Sequence, residues 1–330
     1  MCCNVCHVRY ERSQTQSDSH LPRLLNKPLT LQLAHLSDPH LTSPDRVRWR
    51  ELANKRLLGY LSWKYRRKHK HRADVLAALV RDIASRKPDH ITVTGDLTQI
   101  GTAMECDEAY SWLETLGSPD QVSVIPGNHD VYAEDDWMRT IGVWSPYMFG
   151  IEPGTEQLFP AVHEHGSVAL IGLSTAVPTA PFMATGSLGE RQLSRLDGLL
   201  ADLAERNLFR VILIHHGPVP GTNSFRRRLT DAGRFLAVLE QRGCELVLHG
   251  HGHHNLRDRI ETASADIPVF GVSSASMATN NPETTATWNS YTIEQRDRSW
   301  RLTVQSRSYN PDRHEFTDAG TPLQVDFPES

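Results

Sequence analysis

Five short blocks bearing aspartate, asparagine and histidine recur along the chain, each directly after a run of strand-forming residues. They are Ser37-Asp38-Pro39-His40, Gly95-Asp96-Leu97-Thr98, Gly127-Asn128-His129-Asp130, Ile214-His215-His216-Gly217 and Gly250-His251-Gly252-His253. The apolar runs before them span residues 31–36, 90–94, 122–125, 211–214 and 246–248. Open α/β sheets place their sites beyond the carboxyl ends of their strands. Acids and imidazoles gathered at several strand ends therefore predict one metal-dependent site. Singly, each block is ordinary. Gly-Asp-Leu-Thr serves as a helix cap, Gly-Asn-His-Asp as a turn, and His215-His216 as a satisfied buried pair. Five in this order are not.

The residue types suit hydrolysis assisted by two metal ions. Such a site needs oxygen and imidazole ligands, one group shared by both ions and an open position for water. Asp38 and His40 are two residues apart, so one turn brings both to one ion. Asp96, alone in its block, suits the shared carboxylate. Asn128 offers a neutral amide oxygen and leaves positive charge for an anionic substrate. His215 ends its strand, and Gly252 lets the backbone bring His251 and His253 close.

The intervening sequence organises these blocks as a single α/β unit. Apolar periodicity predicts helices over 73–86, 103–116, 189–206 and 230–242, each leading into a strand. Later strands are expected at 267–272, 290–293 and 300–304. Early helices between strands and late hairpin-like strands predict two packed mixed β-sheets flanked by helices. A polar tail over 1–26, a domain over 27–308 and a C-terminal tail over 309–330 complete the expected organisation.

The ordered motifs resemble those of the calcineurin-like metallophosphoesterase family over residues 31–255, and the fold expected is that family's sandwich. The resemblance implies that Asp38, His40, Asp96 and His253 hold a first metal ion, and that Asp96, Asn128, His215 and His251 hold a second. It also implies that His129 is a non-ligating histidine near the substrate, able to donate a proton. Two divalent ions are implied, with manganese, iron, zinc and cobalt all compatible with a mixed oxygen and nitrogen set. His216-Gly217-Pro218 departs from the two prolines many relatives carry, a change in loop shape that removes no ligand.

Composition excludes some settings. No apolar stretch approaches the roughly 18 residues of a membrane-spanning helix, and the cysteine-bearing start Met1-Cys2-Cys3-Asn4-Val5-Cys6 has no apolar core of a signal peptide. A cytoplasmic protein is expected. Cys106 and Cys244 lie far apart, and no cysteine pattern completes a zinc site.

The segment after the first motif, read as a basic amphipathic insertion over about 41–72, stands apart. Residues 46–72 hold eleven lysines and arginines against one acid, Glu51, so this stretch carries +10 and the rest of the −4 chain carries −14. Leu57, Leu58, Leu61, Trp63 and Tyr65 alternate with these cations. Basic residues interleaved with large apolar ones suit an anionic membrane surface or an amphiphilic anion, against the plainer alternative of a basic helix packing its leucines on the core. The acidic remainder argues against a dedicated nucleic-acid partner. Arg226 and Arg227, after the fourth motif, are candidate phosphate contacts alongside Asn128. The substrate expected is a small phosphodiester or pyrophosphate. The insertion favours a lipid-linked one such as UDP-2,3-diacylglucosamine, with peripheral contact at the inner face of the membrane. A 3′,5′-cyclic nucleotide is the alternative, and a non-catalytic metal-binding scaffold a third.

Overall fold

The computed structural model describes residues 30–41, 43–150, 159–297 and 299–328. The polar tail expected over 1–26 lies outside them. Two six-stranded mixed sheets form the centre. The first runs β12-β11-β10-β1-β2-β3 and the second β4-β5-β6-β7-β9-β8. In the first, β1 (Thr30–Leu36), β2 (His90–Val93) and β3 (Val122–Val124) are parallel, and β10 (Thr287–Arg296), β11 (Ser299–Asn310) and β12 (Glu315–Phe327) continue the sheet antiparallel. In the second, β5 (Val168–Gly172), β6 (Phe209–Ile214), β7 (Leu246–His249) and β9 (Ile267–Gly271) are parallel, flanked by antiparallel β4 (Ala161–His165) and β8 (Leu256–Ile260).

Burial explains the layering. Leu31, Leu33, Phe209, Val211, Leu246, Leu248, Tyr291 and Val304 come from both sheets and fill the space between them. The outer face of the first sheet is covered by α2 (Ala73–Arg86), α3 (Ala103–Leu116) and α4 (Ser145–Phe149), through Val75, Leu79, Ile83, Leu113 and Tyr147. The outer face of the second is covered by α5 (Gly189–Glu205) and α6 (Ala232–Arg242), through Leu196, Leu200, Phe235 and Leu239. Strands buried on both faces are mostly apolar, as β6 and β7 are, with Arg210 and His249 the exceptions. Two packed mixed sheets flanked by helices were the expectation, and they are the fold.

Two expectations change. The stretch expected as a C-terminal tail over 309–330 instead carries the end of β11 and all of β12, hydrogen-bonded along β11. Only Phe316 of β12 is buried, so the strand shows too few inward apolar residues to be legible as one. Within the basic insertion, α1 (Arg56–Ser62) and a π-helical turn (Trp63–Arg67) are ordered against the domain. Trp63, grouped with the membrane-facing residues, is instead 4% exposed. No helix among the described residues is long and apolar enough to cross a membrane.

Candidate metal centre

The parallel strands β1, β2 and β3 of one sheet and β6 and β7 of the other end at the same edge of the sandwich. The residues that follow them converge there. Asp38, His40, Asp96 and His253 form one group, and Asp96, His215 and His251 a second; within each, potential donor atoms lie within 4.8 Å of one another. Asp96 is common to both. Its Oδ2 stands 3.9 Å from His40 Nε2 on one side and 3.4 Å from His215 Nε2 on the other. Asn128 Oδ1 lies 3.2 Å from His215 Nε2, beside the second group.

Backbone geometry serves this convergence. Asp38, His40, Asp96, His251 and His253 all have positive φ, between 44° and 62°. Such conformations are uncommon for residues with a Cβ and cost of order 1 kcal/mol or more each. The surrounding hydrogen bonds hold them. Asp38 N–H donates to Gly95 O at 2.9 Å, His40 N–H to Asp96 O at 3.0 Å, and His251 N–H to Asp38 Oδ2 at 3.0 Å. Asp130, the last residue of the third motif, stands behind the centre and receives hydrogen bonds from the backbone of Asp96, Thr98 and Gly127 at 2.8–2.9 Å. Gly127 is required at its position, because a Cβ there would collide with the Asp96 carboxylate.

The donor set fits metal ions. A ligating imidazole hands its other ring proton to an acceptor, which fixes the tautomer. His40 Nδ1 donates to Thr98 O at 3.0 Å and His215 Nδ1 to Thr94 O at 2.6 Å, so each presents Nε2 to the centre. His251 donates through Nε2 to Arg227 O at 2.9 Å and presents Nδ1. His253 Nε2 faces Asp38 Oδ1 at 3.1 Å. Burial opposes charge on Asp96, yet His215 and His129 hold its carboxyl well below the usual range. Burial likewise opposes charge on His215, and Asp96 lifts it to about 9. Two buried carboxylates facing a crowd of imidazoles form a cluster whose charges call for divalent cations.

His129 belongs to neither group. Its backbone N–H donates to Asp96 Oδ1 at 2.7 Å and its ring Nδ1 to Gln99 O at 2.6 Å. Burial, against the pull of Asp96, lowers its pKa to about 4. Of the two candidate phosphate contacts, Arg226 is exposed, while Arg227 donates to the carbonyl of His251 and supports that loop. Two neighbours escaped the sequence reading, and a third, His216, entered it only as half of a buried pair. His216 is buried against His251, its Nδ1 2.7 Å from Thr175 Oγ1. The insertion contributes Arg67, whose Nη1 is 3.0 Å from His129 Nδ1, and His71, whose ring lies 4.4 Å from that of His40. His216 stood within the fourth motif, and only the fold could have singled out Arg67 and His71.

A family model for calcineurin-like phosphoesterases matches residues 31–255. The chain belongs to that family. It is a metallophosphoesterase, a hydrolase of phosphoric esters. Among its relatives, a probable cyclic nucleotide phosphodiesterase of Synechococcus sp. is 29% identical over 232 residues, covering 69% of this chain and 80% of the relative. Two solved structures share the fold. A dimetal phosphatase from Danio rerio aligns with a TM-score of 0.54 at 11% identity, over 90% of this metallophosphoesterase and 99% of that chain. A purple acid phosphatase from yellow lupin seeds aligns with a TM-score of 0.58 at 13% identity, over 90% of this chain and 53% of the lupin enzyme.

Proposed function

We propose that the protein is a dinuclear phosphodiesterase acting on 3′,5′-cyclic nucleotides. The observation that carries this reading is the Synechococcus relative, a probable cyclic nucleotide phosphodiesterase similar over four-fifths of its length. Asp38, His40, Asp96 and His253 would hold one ion, and Asp96, Asn128, His215 and His251 the other. The two ions, drawn from manganese, iron, zinc or cobalt, supply Lewis acidity toward phosphoryl oxygens and hydroxide at neutral pH. The chain's own residues do the rest. Asp96, oriented by the backbone amide of His129, keeps the two halves of the site in register. Asn128 binds without adding negative charge, which suits a phosphate monoanion. His129, which belongs to neither donor group, is left free to act on the substrate, and Arg226, exposed after the fourth motif, is a further candidate for the substrate's anionic groups.

The lipid-linked pyrophosphate favoured by the insertion finds no support among the relatives, and the intact donor set argues against a non-catalytic scaffold. Contact with an anionic membrane remains compatible with α1, whose Leu57, Leu58 and Leu61 are exposed beside Lys64, Arg66 and Lys68. One panel tests both points. Manganese-loaded protein is offered bis-p-nitrophenyl phosphate, 3′,5′-cyclic AMP and UDP-2,3-diacylglucosamine in parallel, with anionic vesicles floated from the same preparation. Hydrolysis of the first two is expected; turnover of the diacylated substrate alone would overturn the cyclic-nucleotide reading. Absence of salt-sensitive flotation would end the membrane reading.

A further inference from the structure

One cation of the insertion reaches the centre and is not needed to hold the metals. Arg67 ends the π-helical turn and is folded back over His129. Its Nη2 donates to Gly59 O at 3.0 Å, and its Nη1 lies 3.0 Å from His129 Nδ1 and 3.2 Å from Nε2. The carbonyl of Gln99 accepts the Nδ1 proton of His129 at 2.6 Å. Almost equally far from both ring nitrogens, Nη1 lies against the ring of His129 and off the axis of the Nε2 lone pair, while the ring's proton is spent on Gln99. The guanidinium is not itself satisfied, because Nε is buried with no partner. A half-buried arginine with an unspent, buried donor, held against a centre built for a phosphoester, lacks an anion. His71, four residues further on, packs against His40 and fixes the same turn to the site through Ser276 Oγ at 2.8 Å.

We infer that Arg67 contacts the substrate, donating to the departing oxygen of the phosphoester, and that His129 is the positioning residue that aims it. The inference rests on the reading of the protein as a phosphodiester hydrolase. In the step, the oxygen of the attacking water forms the new bond to phosphorus. The ester P–O bond breaks with its electron pair passing to the departing oxygen. Arg67 lends a charge-assisted hydrogen bond to that oxygen without giving up its proton. The proton released by the water and the one gained by the leaving group exchange through solvent.

The test compares leaving groups. In Arg67→Ala, hydrolysis of diphenyl phosphate, whose leaving group is poor, should fall about 10²-fold in kcat, the loss typical of one preorganised donor. The loss for bis-p-nitrophenyl phosphate should be several-fold smaller, since p-nitrophenolate needs little help. Free guanidinium should restore part of the diphenyl phosphate activity, and inorganic phosphate should bind more weakly while metal content stays at the wild-type value. Arg67→Lys, which keeps the charge and loses the fork, should fall between the two; it carries the comparison should the alanine variant loosen the insertion. His129→Ala should reproduce the leaving-group dependence with metals retained. Equal losses for both esters with no guanidinium rescue would make Arg67 a structural strut and overturn the inference. Wild-type protein that hydrolyses neither ester would instead overturn the phosphodiesterase reading on which it rests.

Discussion

Asp96 is the residue on which most of the centre depends. One carboxylate oxygen lies between His40 and His215, and the other receives the amide of His129. Asp96→Asn keeps the volume and removes the charge that both groups use. Turnover should vanish and bound metal should drop toward one ion or none per chain, measured by elemental analysis of the purified variant. Full activity with two ions would remove the shared-ligand assignment. At this scale the sequence was highly legible. Every candidate ligand stood in a motif whose order and residue type announced its chemistry, and the structure brings all seven together. Asp130 was visible but without a role, since its part is to orient backbone amides that only the fold assembles. Arg67 and His71 were hidden in a run of cations where charge alone cannot show which side chain turns inward.

Local signals served the helices well and the edges poorly. Thr102 and Glu105 make a capping box at the start of α3, and Lys87 in a left-handed conformation ends α2; both helices fall where periodicity put them. In the insertion the same reasoning stopped short, because leucines on α1 face solvent while Arg56 is buried on the carbonyls of Ile100 and Gly101 at 2.8 and 2.6 Å. The antiparallel strand β4 was missed, being short and rich in histidine. It packs His163 and His165 near His90 of β2, with the His90 and His165 rings 4.4 Å apart. Burial, with those neighbours, depresses His90 to about 3. The unfolded chain takes up a proton at about pH 6.5 that the folded one refuses, so this group stabilises the fold above that pH and its contribution is lost as pH falls toward 3. The swing from His90 alone is on the order of a few kcal/mol. Urea midpoints measured from pH 7.5 to 4 should fall steeply in the wild type and less steeply in His90→Phe. Identical slopes would show that these histidines do not govern acid sensitivity.

Across the whole molecule the sandwich was foreseen and its extent was not, because β12 is an edge strand held mainly by its ladder to β11. Arg307, buried between Asp82 of α2 and Asp318 of β12, ties that edge to the helical layer, and Arg301 pairs with Asp326. Ending the chain after Asn310 would strip the ladder, uncover β11 and remove the buried Phe316. A melting temperature lower by at least about 5 °C is expected, with a tendency to associate through the bared edge. A truncated chain that melts with the full one would show β12 to be dispensable. The arrangement of the centre has a further consequence for the molecule as a polymer. Its first group joins Asp38 to His253, 215 residues apart, across the ends of two different sheets. An ion held there closes a loop longer than most disulfides do, in a protein whose two described cysteines are both free and buried. Chain-entropy reasoning puts such a closure at about 5 kcal/mol. An ion bound there would act as a staple, and its removal would loosen the chain as well as stop the chemistry.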